Sequence, residues 1–397
     1  MKLISREITL LIKQNLQRGK SILLLGPRQV GKTTLVQHCI KPDIHLSFVN
    51  AEIRQQFERD LVWSVKELEA KIQSTHNTPT VFIDEVQKVP QIMDSIQDMI
   101  DRKLAKFILS SSSARKLKYG KHVNLLPGRV VLLHLGPLSY EEIPTPKPDL
   151  MPLLNFGCLP DIILQNDDAL KEIDLNSYVT IYLEEEIRQE ALVRNVGHFA
   201  RFLQLAAIES GHTINAAKIS QEIGVSSTTI QEYYQILDDC LIARRIDSLT
   251  QSKTNRRLIK SPKYIFFDLG VRRVAANEGI NPNRETQGHL FEQYIGLEIL
   301  QQLNIHKPLA KLRYWRSSDG PEVDWVIETA GQLIPIEVKL TEIPKAKHLK
   351  HLQLFLREYT TAKVGYVICQ VKHKIEIEKN IYALPWQEFM SDILKSI

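Results

Sequence analysis

The sequence predicts an α/β protein in three parts: a parallel sheet first, a helix-rich middle with a helix-turn-helix, and a second α/β domain last. Three stretches predict it. An apolar run at residues 22–25 leads into Gly26-Pro27-Arg28-Gln29-Val30-Gly31-Lys32-Thr33, and helical spacing follows at residues 34–40. A second apolar run, residues 80–83, ends in Asp84-Glu85. Far downstream, residues 323–327 and 334–340 alternate apolar and polar side chains about Ala330-Gly331. At 397 residues the chain exceeds one ordinary core, so several domains are expected.

The composition, 43% hydrophobic and 24% charged, is that of an ordinary globular protein. No apolar run approaches the ~20 residues of a membrane span. The N-terminus breaks early into charge and does not read as a secretory signal. Cys39, Cys158, Cys240 and Cys369 are far apart and read as reduced thiols. The expectation is a cytoplasmic protein without a membrane partner. A net charge of +5 permits nucleic-acid binding without demanding it.

The first domain is expected over residues 1–145. Residues 5–18 read as a lead-in helix ended by Gly19. Gly26 and Gly31 have no Cβ, so the loop between them can curl and aim its N–H groups inward. The helix that follows adds its positive dipole end. Lys32 then reaches phosphate oxygens and the Thr33 hydroxyl faces Mg²⁺. The nucleotide-binding set is Gly26, Pro27, Arg28, Gln29, Val30, Gly31, Lys32, Thr33 and Thr34, with Asp84. Residues 44–49 read as a second strand, and residues 58–72 as a helix through Leu61, Val65, Leu68 and Ile72. In this context Asp84 would hold Mg²⁺ and Glu85 would orient or deprotonate the attacking water. That pair points to ATP hydrolysis, since a protein that only binds needs no base. Residues 106–110 and 130–135 supply further strands. Ser110–Ser113 reads equally as a phosphate-sensing group and as a hydroxyl-rich turn. Arg115 and Arg129 are candidate transition-state cations, in their own subunit or a neighbour's; the latter would require a homo-oligomer.

The second part, residues 146–275, opens with Pro146, Pro148 and Pro152, which suggest a linker. Residues 168–209 are mostly helical in pattern, and Glu184-Glu185-Glu186 reads as a solvated face. Residues 214–223 and 228–237 form two helices about Gly224-Val225, and residues 241–246 a strand. The pattern is that of a winged helix-turn-helix. One reading is DNA contact through Ser227, Thr228, Thr229 and Gln231, with backing from Arg244, Arg245, Lys253, Arg256, Arg257 and Lys260. The other is a module that couples domains and touches no DNA.

The third part, residues 276–397, begins with a helix at 288–303, on which Glu292 shares a stripe with Ile295 and Ile299. A hairpin about Ala330-Gly331 places Val323, Trp325 and Ile327 on one face with Ile334, Ile336 and Val338. It also sets Asp324 opposite Glu337, a repulsion that a divalent cation would offset. With Lys339 two residues on, these groups form the Asp…Glu-x-Lys constellation of restriction-endonuclease-like nucleases. Asp324, Glu337 and the Val338 carbonyl would hold Mg²⁺, and Glu292 a metal-bound water or second ion. Lys339 would position or activate a water that attacks a phosphodiester.

The whole chain resembles the prokaryotic AAA-type ATPases whose phosphate-loop domain is joined to a C-terminal domain of unknown function. The resemblance rests on residues 26–34, 82–90, 112–117, 126–129 and 137–142. It continues through Gly-His-Leu-Phe-Glu (288–292), Tyr-Trp-Arg (314–316), Glu-Val-Asp-Trp (322–325) and Pro-Ile-Glu-Val-Lys (335–339). It departs at Ser111, where similar sequences carry Gly. The resemblance implies an ATPase with nucleotide contacts at Gly31, Lys32, Thr33 and Asp84, a winged helix and a nuclease-like end domain. Two functions follow as expectations. One is an ATP-hydrolysing, DNA-processing enzyme with catalytic Glu85, Arg129, Glu337 and Lys339. The other is an ATP-dependent switch whose last domain holds DNA or a protein without cleaving.

Overall fold

Residues 21–25 are buried at every position, as a strand covered on both faces must be. The computed structural model describes residues 3–75, 77–115, 126–183, 196–250 and 257–397. The expected residues Lys116, Leu117, Glu184–Glu186, Lys253 and Arg256 lie outside the described residues.

Five parallel strands form the first sheet: β1 (Ser21–Leu25), β2 (Ile44–Ser47), β3 (Thr80–Asp84), β4 (Lys106–Ser111) and β5 (Val130–His134). Their order is β2-β3-β4-β1-β5. Because all five run the same way, the segments after β1, β3 and β4 emerge along one edge. That edge gathers the phosphate loop, Asp84-Glu85 and the serines. The helix expected at 58–72 is two helices, Ala51–Arg59 and Leu61–Gln73. Asp60 explains the break, since its carboxylate accepts from Trp63 N (2.9 Å) and caps the second helix.

In the middle, helices Ala216–Ile223 and Ser227–Asp239 flank the expected turn, and Ser226 caps the second by accepting from Thr229 N at 3.1 Å. Strands β6 (Ala243–Ile246) and β7 (Lys263–Phe266) then pair antiparallel. One expectation changes here. The proline-rich stretch is no free linker: Leu138, Ile143 and Leu150 are buried in one core with Leu290 and Tyr294. The described part of the basic stretch is anchored as well. Within it, Ile259 N donates to Arg316 O (3.0 Å) and Ser318 N donates to Arg257 O (2.9 Å), which fastens residues 257–260 onto the C-terminal sheet.

That sheet has six strands: β8 (Lys311–Arg316), β9 (Glu322–Glu328), β10 (Leu333–Val338), β11 (Gly365–Cys369), β12 (Ile375–Glu378) and β13 (Ile381–Pro385). Their order is β12-β13-β11-β10-β9-β8. β9 and β10 pair antiparallel with Ile336 opposite Trp325 and Ile334 opposite Ile327, the register read from the alternation. Helix Arg284–His306 lies across this sheet. It sits so close at Gly296 that a Cβ there would be 2.6 Å from Trp325 Cζ2. The same approach lets Trp325 Nε1 donate to the Glu292 carbonyl (3.0 Å), which fixes Glu292 over the hairpin. Among the described residues, no helix is long and apolar enough to cross a membrane.

Candidate functional site

Gly26 must be glycine for a steric reason, because a Cβ there would lie 2.3 Å from the Leu135 carbonyl oxygen. The loop it opens ends at helix Lys32–Leu35. Lys32 Nζ donates to the carbonyls of Gly26 (2.7 Å) and Pro27 (2.9 Å) and lies 3.8 Å from Glu85 Oε1. Thr33 Oγ1 donates to Asp84 Oδ2 at 2.8 Å. Ser110 donates to the other Asp84 oxygen, and Ser112 Oγ donates to Glu85 Oε2 at 2.7 Å. Glu85 occupies the left-handed backbone region (φ 55°), which turns its side chain back toward the loop. Burial pushes its carboxyl up, but Lys32, Ser112 and Gln87 outweigh that and hold it below the usual value. Glu85 is therefore ionised at neutral pH. A cavity of about 330 Å³ opens here, lined by Arg28, Gln29, Gly31 to Thr34, Asp84 and Glu85.

Sequence reasoning missed Arg6. Its buried guanidinium donates to Val30 O (2.7 Å), Glu142 Oε2 (2.9 Å) and Gly136 O (2.8 Å). It thus pins the loop backbone to the segment after β5. No periodicity marks it, because it lies before the first helix and its partners are more than 20 residues away in sequence.

At the C-terminal sheet, Lys339 Nζ lies 2.7 Å from Glu337 Oε1 and 3.3 Å from Asp324 Oδ2. Both carboxylates therefore face one cation. Val338 N donates to Asp324 Oδ2 (2.7 Å), whereas the buried Glu337 Oε2 has no partner. Burial, then Asp324, pushes the Glu337 carboxyl well above its usual value. Burial opposes the charge on Lys339, but Asp324 and Glu337 outweigh it and keep the ammonium protonated. In this arrangement Lys339 can position a water and cannot accept its proton. Glu292 is paired elsewhere: Lys263 Nζ, from β7, donates to its Oε1 at 2.9 Å. Among the described residues, no three His, Cys, Asp or Glu side chains form a ready metal cage. Nothing in the sequence singles out Lys263, and only the docking of β7 reveals its place here.

Three family models match the chain in succession. Residues 18–144 match a family model described as an AAA domain. The match supports an AAA-type ATPase. Residues 147–283 and 287–389 match two further models, each described as a domain of unknown function (DUF8612 and DUF4143). Similar curated proteins include an uncharacterized protein of Mycobacterium tuberculosis, 24% identical over 392 residues, covering 97% of this chain and 84% of that protein. Another, from Methanocaldococcus jannaschii, is 22% identical over 390 residues, covering 92% and 85%. Among solved structures, the Walker-type ATPase of Pyrococcus abyssi has 15% identity and TM-score 0.47, covering 69% of this chain and 96% of that one. The Aeropyrum pernix Orc1 protein in complex with DNA has 12% identity and TM-score 0.33, covering 70% and 93%.

Within the ATPase domain, one expectation is corrected. Arg129 precedes β5, whose first residue, Val130, is level with Ser21 at the start of β1. The phosphate loop follows the other end of β1, roughly 16 Å away at ~3.3 Å per residue. Arg129 instead pairs with Asp101 (2.7 Å), so it cannot serve a nucleotide in its own chain. Ser111, where similar sequences carry Gly, lies within β4 without a positive φ, so its backbone is one that any residue adopts. Arg115 lies 3.5 Å from Asp239 of the middle region.

The ATPase domain meets helix Arg284–His306 through buried polar groups. Tyr140 N donates to Glu298 Oε1 (3.0 Å), and Gln301 Nε2 donates to Glu142 Oε2 (3.2 Å). Burial raises the Glu298 carboxyl from 4.5 to about 8. The folded protein therefore keeps this proton at pH values where the unfolded chain has lost it. Stability falls as pH rises through that window, by up to ~1.4 kcal/mol per unit, and levels off above about 8. Glu298→Gln keeps an acceptor for Tyr140 N and removes the titration. Its urea midpoint, relative to wild type, is expected to rise between pH 5 and pH 8; a constant difference would refute the assignment.

Proposed function

We propose that this protein hydrolyses ATP and acts on DNA through its C-terminal carboxylate site. One observation carries the ATPase half: Lys32, Thr33, Asp84 and Glu85, drawn from two strand ends, converge on a single cavity beside the phosphate loop. The loop N–H groups and Lys32 would bind the phosphates. Glu85, ionised and held by Ser112 and Gln87, would take the proton of the attacking water. Thr33 and Asp84 offer the oxygen donors that Mg²⁺ takes, and the ion would neutralise charge between the β- and γ-phosphates.

The DNA half rests on the C-terminal geometry. A buried, unpartnered carboxylate oxygen on Glu337, with Asp324 gathered on the same lysine as the other Glu337 oxygen, is a donor set that suits a hard divalent ion. Asp324, Glu337 and the Val338 carbonyl would hold it, with Glu292 as an outer ligand, and it would polarise the scissile phosphate. Lys339 would orient the water. The winged helix-turn-helix of residues 216–266 would bring DNA to this site. A second reading, a switch that binds without cleaving, is favoured by one observation: ammonium groups already occupy the carboxylates.

Supercoiled plasmid, incubated with Mg²⁺ or Mn²⁺ with and without ATP, separates the readings. Wild type is expected to nick it, and Glu337→Ala to do so at least ~100-fold more slowly. Equal behaviour of the two proteins in every metal would leave only the switch.

A further inference from the structure

The C-terminal carboxylates are neutralised by two lysines of different origin. Lys339 belongs to the same hairpin. Lys263 belongs to β7, within the region matched by the middle family model, and reaches across to Glu292. It is held there firmly. Its ammonium lies 5.1 Å from the centre of the Tyr314 ring and 5.2 Å from that of Trp325, the side chain that also fixes the Glu292 backbone. Lys263 is buried, and its strand is pinned on both sides, to Ile246 of β6 and to Thr213. A surface lysine gains little from such a seat, because losing its water is costly unless a carboxylate compensates. Glu292 is that carboxylate, and it is the third carboxylate beside the hairpin pair.

We propose that Lys263 is a built-in cation that keeps Glu292 from joining Asp324 and Glu337 around a divalent ion. The inference rests on reading those carboxylates as a metal site. While the ammonium stays on Glu292, an incoming ion meets two carboxylates already shared with Lys339 and a third that is taken. Withdrawal of Lys263 frees the third carboxylate and removes one positive charge from the site. The strand that carries Lys263 is also connected to the nucleotide site. Ser112 holds Glu85; two residues on, Ala114 N donates to Asp239 O (2.9 Å) at the end of helix Ser227–Asp239. That helix leads directly into β6, the partner of β7. The lock therefore belongs to the element that links the two sites.

The test is Mn²⁺ binding to the full chain without nucleotide, followed by the electron paramagnetic resonance of the free ion. Each protein is compared with the same protein carrying Asp324→Ala, so that only the ion lost with Asp324 is counted. Lys263→Met, which keeps the length and apolar contacts of the side chain, is expected to tighten that site at least tenfold. Lys263→Gln, which keeps a hydrogen-bond donor for Glu292, is expected to act in the same direction, and Lys263→Arg to stay within twofold of wild type. Equal Mn²⁺ affinity in wild type, Lys263→Met and Lys263→Gln would overturn the lock and leave the metal site standing. If no protein binds an ion that depends on Asp324, the metal reading fails and the lock fails with it.

Discussion

Glu85→Gln is expected to bind ATP as wild type does and to lose turnover by a factor of ~10²–10⁴. The substitution is close to isosteric, and the side chain sits in a fixed frame. Gln87 and Ser112 both donate to Oε2, and an amide oxygen can accept from both. The geometry of the loop should therefore survive. What is lost is proton affinity, because an amide cannot take the proton of an attacking water. The negative charge 3.8 Å from Lys32 is lost as well, which favours phosphate binding slightly rather than weakening it. Phosphate release and the fluorescence of a bound nucleotide analogue give the two readouts separately. Hydrolysis at the wild-type rate would remove Glu85 from the chemistry.

Lys32→Ala is expected to act earlier, at binding, with at least a ~100-fold loss of nucleotide affinity and no measurable turnover. Lys32 is buried beneath the loop, with its ammonium on the carbonyls of Gly26 and Pro27. It thus stiffens the loop and also supplies a charge that phosphate oxygens can take over. Alanine provides neither. The same nucleotide analogue measures the loss directly. Binding within a few-fold of wild type would mean that the loop N–H groups suffice and that Lys32 is structural. The pair of variants is informative together, since one should separate binding from hydrolysis and the other should abolish both.

The parts of this protein that could be read from its residues are those whose chemistry is contiguous. The loop at residues 26–33 carries its glycines, lysine and threonine at fixed spacing, so its neighbours in space are its neighbours in sequence. The hairpin is similar: alternation about Ala330-Gly331 leaves a single register that buries Trp325 with Ile336, and the observed pairing has it. Asp60 shows the limit of periodicity, because the spacing of Leu61, Val65, Leu68 and Ile72 marks a helix but not its start, which one capping carboxylate sets. Arg129 shows another. An arginine close to a motif in sequence lies at the opposite end of a parallel strand, and strand direction alone decides which end faces the nucleotide.

The phosphate loop, the paired carboxylates at the end of β3 and the facing pair Asp324 and Glu337 were all legible in the residues, because each follows from the period of one strand or turn. Only the tertiary structure decided that Arg6 braces the loop, that Glu298 is buried against the ATPase domain and that Lys263 sits on Glu292. Those contacts join segments tens to hundreds of residues apart. Their energy comes from charge pairing and desolvation at packed surfaces, which leave no periodic trace along the chain.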